Sequence, residues 1–193
     1  MAGRTRRRDE PGFDLTTELI LLCGAFLMGA TVGSFFASGF SLKAGSFFSD
    51  YLNGLASGVG GLSFRAFMVY HGLLVLLIFL GAFVGIGSVI VPFAVSVKGF
   101  TLSAAITCYI KLFGIRGYLP AAVSFLASGF VVVAVLLLLA CRALEYSRIT
   151  GRKRIDRSYF LSGGAAYLMI ALAGLLHCRV LNFLTAAVLS WIS

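Results

Sequence analysis

The sequence predicts an all-α polytopic integral membrane protein with five transmembrane helices plus short interfacial helices. Three observations carry that prediction. The chain of 193 residues is 60% hydrophobic and only 12% charged, roughly half the charged share of a soluble domain. Five apolar runs approach or exceed the roughly 20 residues that cross a bilayer core. Across residues 66–110 the only formally charged side chain is Lys98, and a soluble fold could not bury so long a run. Little sequence remains between the runs, so residues 19–192 read as one membrane domain.

Residues 1–18 are polar and basic, with Arg4, Arg6, Arg7 and Arg8 ahead of Asp9, Glu10, Asp14 and Glu18. They read as a cytoplasmic tail, with Asp14 placed to cap the helix that follows. The first span covers about 19–40. No clear cleavage site follows it, so it reads as a retained signal anchor. Gly29 and Gly33 fall on one helix face, a spacing that lets another helix approach closely. We read this as packing inside the monomer rather than a dimer contact.

Residues 41–65 form an outer segment. Phe47, Tyr51 and Leu55 recur every four residues, with Asp50 and Asn53 on the other face. That pattern is a short amphipathic helix at the bilayer surface. It reads as an interfacial linker anchored by its aromatics, or as a docking face for a partner outside the cytoplasm.

The second span covers about 66–84 and the third about 87–110, joined by a tight, uncharged turn. Gly81, Gly85, Gly87, Pro92 and the pair Lys98-Gly99 are the weak points of this stretch. Lys98 admits two readings. A cation at mid-membrane marks a functional site by default. Alternatively, Pro92 and Gly99 break the helix and let Lys98 reach water or headgroups. No acid lies inside an apolar run to pair with it.

The fourth span covers about 119–141, with Pro120 in its first turn, where proline is tolerated. Residues 142–158 form a cytoplasmic loop carrying Arg142, Arg148, Arg152, Lys153, Arg154 and Arg157. The fifth span covers about 159–177. Residues 180–192 are too short to span and read as an interfacial segment on the outer side, with Trp191 as anchor.

The formal charge of +9 gathers at the N-terminus and in the loop 142–158. Cytoplasmic loops carry excess Lys and Arg, so both are placed inside, and four crossings separate them. Topology accounts for the basic runs; membrane lipid is the general partner and no nucleic-acid partner is expected.

The chemistry-bearing residues form no reactive constellation. Cys23, Cys108, Cys141 and Cys178 make no CxxC or Cys/His cluster. His71 and His177 are isolated in sequence, and no metalloprotease, P-loop or dinucleotide motif occurs. Ser34, Ser88 and Ser128 could supply a nucleophile, but no pattern selects one. With every acid placed outside the spans, proton-coupled transport lacks a relay. No cofactor is expected, and the chain does not read as an enzyme.

The order of features resembles the stage II sporulation protein M family. The matching residues begin with GAFLMGATVGSFFASG, Gly24 to Gly39. They are densest in FLGAFVGIGSVIVPFAVSVKGFTLSAAITCYIKLFGIRG, Phe79 to Gly117. The family's motif positions are Gly81, Gly85, Pro92, Lys98, Gly99 and Phe100, followed by Gly114 and Gly117. The similarity runs from about residue 15 to 192. It departs in the fourth span, where many members carry a Leu-Pro-polar-Asn segment and a further proline. Here the chain reads Leu126-Ala127-Ser128-Gly129.

The resemblance implies a non-catalytic membrane scaffold of the sporulation engulfment machinery. Such a protein sits in the bacterial cell membrane, at the septum during sporulation. It recruits the peptidoglycan-degrading stage II sporulation proteins D and P. Docking through Phe47, Tyr51 and Leu55 is the corresponding expectation. The alternative is a small permease or permease-like subunit working with an ATPase, with Lys98 lining a path and the basic loop contacting the ATPase.

Overall fold

In the computed structural model the described residues are 15–39, 63–84, 86–149, 157–181, 183–184 and 187–188. The outer-segment residues Phe47, Tyr51 and Leu55 lie outside them. So do Gly85, residues 1–14, residues 150–156 and most of the segment 180–192.

Five helices carry the described chain. They are α1 (Leu15–Ser38), α2 (Phe64–Gly81), α3 (Gly87–Phe113), α4 (Tyr118–Ile149) and α5 (Arg157–Leu176). All five are long and apolar enough to cross a membrane, and no strand occurs among the described residues. The protein is therefore an all-α, multi-pass membrane protein. The outward faces confirm the setting. Ile20, Leu27, Met28 and Phe35 of α1 point away from the bundle, while Leu22 and Ala37 of the same helix are fully buried. A helix that is apolar all round suits hydrocarbon on one side and protein on the other.

The helices alternate in direction. Between α1 and α3 the Ser103 hydroxyl donates to the Ala30 carbonyl (2.6 Å), Thr107 to the Ser34 hydroxyl (3.3 Å) and Lys111 to the Ser38 carbonyl (2.8 Å). All three pairs are 73 residues apart, so α1 and α3 are parallel and in constant register. Their seam is built on small residues. A Cβ on Gly29 would collide with the Ser96 backbone, one on Gly33 with Phe100, and one on Gly99 with the Phe26 carbonyl. The Gly29–Gly33 pair thus serves packing within the chain. Backbone approach of this kind supplies the dispersion contact that holds membrane helices together.

α2 and α5 are antiparallel. Phe67 lies against Gly174 and Phe79 against Gly163. The Phe79 and Tyr159 rings stack at 4.9 Å, and the Tyr159 hydroxyl donates to the Phe79 carbonyl at 2.9 Å. α4 runs against α3, with Tyr109 on Phe125 at one end and Gly87 beside Ser147 at the other. The central core joins Ile78, Val91, Val132, Leu136, Leu144, Tyr159 and Ile170, all essentially without solvent exposure.

Several element boundaries differ from the sequence reading, three of them with a clear packing or capping cause. α1 begins at Leu15, and Glu18, assigned above to the tail, is buried in its first turn. α2 begins at Phe64, capped by the Ser63 hydroxyl, which accepts from the Ala66 amide at 3.2 Å. α4 continues through residues 142–149, which the charge pattern had marked as loop. Ala143 and Leu144 are buried against the bundle there, and Arg142 meets Glu145 one turn on at 3.6 Å. At 32 residues α4 is about 48 Å long. That exceeds a hydrocarbon core of about 30 Å, so α4 is longer than an untilted crossing needs.

Candidate functional site

α3 is a single helix from Gly87 to Phe113, with Pro92, Lys98 and Gly99 inside it. The break at Lys98-Gly99 does not occur. Pro92 removes one backbone hydrogen bond, but at membrane depth an open helix would strand more polar groups than it released. Neighbouring helices also grip this stretch on two sides, with Gly99 against α1 and Lys98 turned toward α2. The helix ends instead at Gly114, whose φ of 60° is the only positive one among the described residues, and a short 3-10 turn, Gly114–Gly117, leads into α4.

Lys98 is 7% exposed and faces a polar cluster assembled from three helices. Its ammonium lies 3.0 Å from Nε2 of His71 on α2. The other imidazole nitrogen, Nδ1, is 2.9 Å from the Phe67 carbonyl. A carbonyl only accepts, so Nδ1 carries the proton and Nε2 offers a lone pair. The Lys98 ammonium is then the donor, and the histidine is neutral. Tyr70 completes the wall. Its ring lies 5.7 Å from the Lys98 nitrogen and meets His71 edge-on at 4.8 Å. Its hydroxyl shares a 2.6 Å hydrogen bond with Thr101, one turn beyond Lys98. Phe67 contacts both the His71 ring, at 4.1 Å, and the His177 ring at the end of α5, at 5.6 Å.

The cation is thus solvated by a lone pair and a π face, and among the described residues no carboxylate pairs with it. A buried charge without a counterion is costly, and an ammonium in this setting is a hydrogen-bond donor and a cation–π partner. The cluster ties α2 to α3 and brings the end of α5 onto the same aromatic patch.

Of the motif residues, Gly81, Pro92, Lys98, Gly99 and Phe100 lie on one continuous path along the end of α2 and along α3. A Cβ on Gly81 would press on Val91 at 2.8 Å, and Phe100 packs on Phe36 of α1 at 5.8 Å. These residues set helix contacts. His71, read from the sequence as isolated, is the partner of Lys98, and Tyr70, Thr101 and His177 join it. The signal that could have found them is elimination: a lone membrane cation needs a lone pair or an anion, and His71 and His177 were the remaining candidates in the spans.

Three grooves are walled by described residues. One of about 970 Å³ lies between α2 and α5, one of about 720 Å³ lies on α3 and α4 beside Phe26, and one of about 480 Å³ follows the start of α2. Neither Lys98 nor His71 lines any of them.

Fold and site together define a multi-pass α-helical membrane protein with a lysine–histidine pair closed inside its bundle. Scans against family models, curated proteins and solved structures find no match to this chain.

Proposed function

We propose that the protein is a non-catalytic membrane scaffold that holds peptidoglycan-degrading partners at the bacterial cell membrane, as its resemblance to stage II sporulation protein M implies. The partners on this reading are stage II sporulation proteins D and P, and the site of action is the sporulation septum. The observation that carries the proposal is the use made of the motif residues. Gly81 and Gly99 press helices together, and Lys98 is tied to His71 and lines none of the three grooves walled by described residues, which favours a firm bundle over a polar passage. A transported anion would need a wetted route to Lys98.

The orientation follows from charge. Carrying the α1–α3 offset back sets the first turn of α1 beside that of α3, and Gly87 there touches Ser147 of α4. The start of α1, which the N-terminal arginines precede in sequence, and the last turns of α4, which carry Arg142, therefore lie at one end of the bundle. The positive-inside rule assigns that end to the cytoplasm.

The test is a mild-detergent pull-down of the tagged protein from native membranes, with partners identified by mass spectrometry. Cell-wall hydrolases in the eluate are the expected result. An ATPase without hydrolases overturns the scaffold in favour of the permease. Replacing Phe47, Tyr51 and Leu55 with Ser then asks whether the outer segment retains the hydrolases.

A further inference from the structure

The outward ridge of α2 separates two of the grooves. The larger, about 970 Å³, runs between α2 and α5 along Val69, Leu76 and Phe160. The smaller, about 480 Å³, lies on the other flank and shares Arg65, Val69 and Leu73 with the first. Both are apolar along their length, and both have Arg65 in their lining. Arg65 stands in the first turn of α2, is exposed, and has no carboxylate partner among the described residues. At the same end Phe64 adjoins Gly174 of α5, and the closing turn of α5, His177–Leu181, carries the exposed Arg179. Gly72, Gly163 and Gly164 line the larger groove. A Cβ on Gly164 would meet nothing within 4 Å.

We propose that this ridge binds one anionic diacyl phospholipid, its headgroup phosphate on Arg65 and its two acyl chains in the two flanking grooves. The pattern of one cation at the end of paired apolar troughs matches an amphipath with a charged head and two tails. A neutral hydrocarbon chain would have no use for the arginine, a single-chain anion would fill only one trough, and a soluble phosphate would have no use for the troughs. Headgroup attraction to a basic residue at the interface is worth about fivefold in occupancy. The proposal does not depend on the scaffold reading.

The experiment is native mass spectrometry of the full chain in a neutral detergent, titrated with phosphatidylglycerol or with phosphatidylcholine of the same chains. One phosphatidylglycerol should be retained about fivefold more than phosphatidylcholine. Arg65→Gln should erase that preference and Arg65→Lys should keep most of it. Gly164→Leu, which fills the larger groove, should lower retention of both lipids. Equal retention of the two lipids by the unmodified protein overturns the proposal, as does a preference that survives Arg65→Gln. Full competition by soluble glycerol phosphate overturns it as well, because the grooves would then contribute nothing.

Discussion

Lys98 of α3 donates to His71 of α2 across 3.0 Å, and the Phe67 carbonyl behind the imidazole fixes the direction of that bond. Each partner answers a need of the other. The ammonium gains a lone pair where no carboxylate among the described residues is at hand, and the buried Nε2 gains a donor.

A double substitution should therefore be milder than either single one. His71→Leu leaves a buried ammonium against a ring face and should destabilise the fold by about 3–5 kcal/mol. Lys98→Met leaves an acceptor without a donor, at about 1–3 kcal/mol. With both replaced, neither polar group remains, and stability should return close to that of the parent. Thermal unfolding of the four proteins in one detergent measures this. Losses that simply add in the double variant would show that the two residues do not work as a pair.

The glycines divide into two kinds, and their alanine variants should move stability in opposite directions. Gly99 presses on the Phe26 carbonyl of α1, whereas a Cβ on Gly24 would meet nothing. Gly99→Ala should part α1 from α3 and cost about 1–3 kcal/mol. Gly24→Ala should be neutral or stabilising by up to about 1 kcal/mol, since glycine is the poorer helix former. Melting points of the two variants decide it, and equal losses would remove the close seam from the account.

Which features could be read from the sequence depends on whether they are local. The span count follows from hydropathy alone, because the bilayer sets the length of each run. The Gly29–Gly33 face could be read for the same reason, since spacing within one helix is fixed by its pitch. Helix ends were misplaced where charge was taken for loop. Arg142 and Glu145 sit on a helix that continues because Ala143 and Leu144 still have a core to bury against. Pro92 and Gly99 suggested a break, but packing of α3 against two neighbours outweighs their weak propensity. Elimination could nominate His71 as a candidate for Lys98, but the contact itself was not legible. It joins residues 27 apart on different helices, and only the register between α2 and α3, set by Gly81 against Val91, brings them together.

Parallel α1 and α3 can be trapped chemically. The Ser34 and Thr107 hydroxyl oxygens are 3.3 Å apart, a separation compatible with a disulfide between cysteines at those positions. In a background where Cys23, Cys108, Cys141 and Cys178 are replaced by alanine, Ser34→Cys with Thr107→Cys should form an intramolecular disulfide on mild oxidation. Ser34→Cys with a cysteine at Ser96, three turns away on α3, should not. Read by mobility on a gel after cleavage of the α1–α2 connection, which lies between the two cysteines, the reverse outcome would refute the register.

The alternation of helices also fixes which connections share a side, and accessibility can test the assignment of that side. Ile115, in the turn between α3 and α4, is 84% exposed. Arg142, toward the opposite end of α4, has a side chain that is 62% exposed. On the orientation proposed here, Ile115 faces outward from the cell and Arg142 faces the cytoplasm. In the same cysteine-free background, Ile115→Cys should react with a membrane-impermeant maleimide on intact cells. Arg142→Cys should react only after the membrane is permeabilised. The opposite pattern would place the basic end outside, against the positive-inside rule. Labelling of both positions in intact cells would mean that the crossings between them do not number one, and the bundle would have to be redrawn from α4 onward.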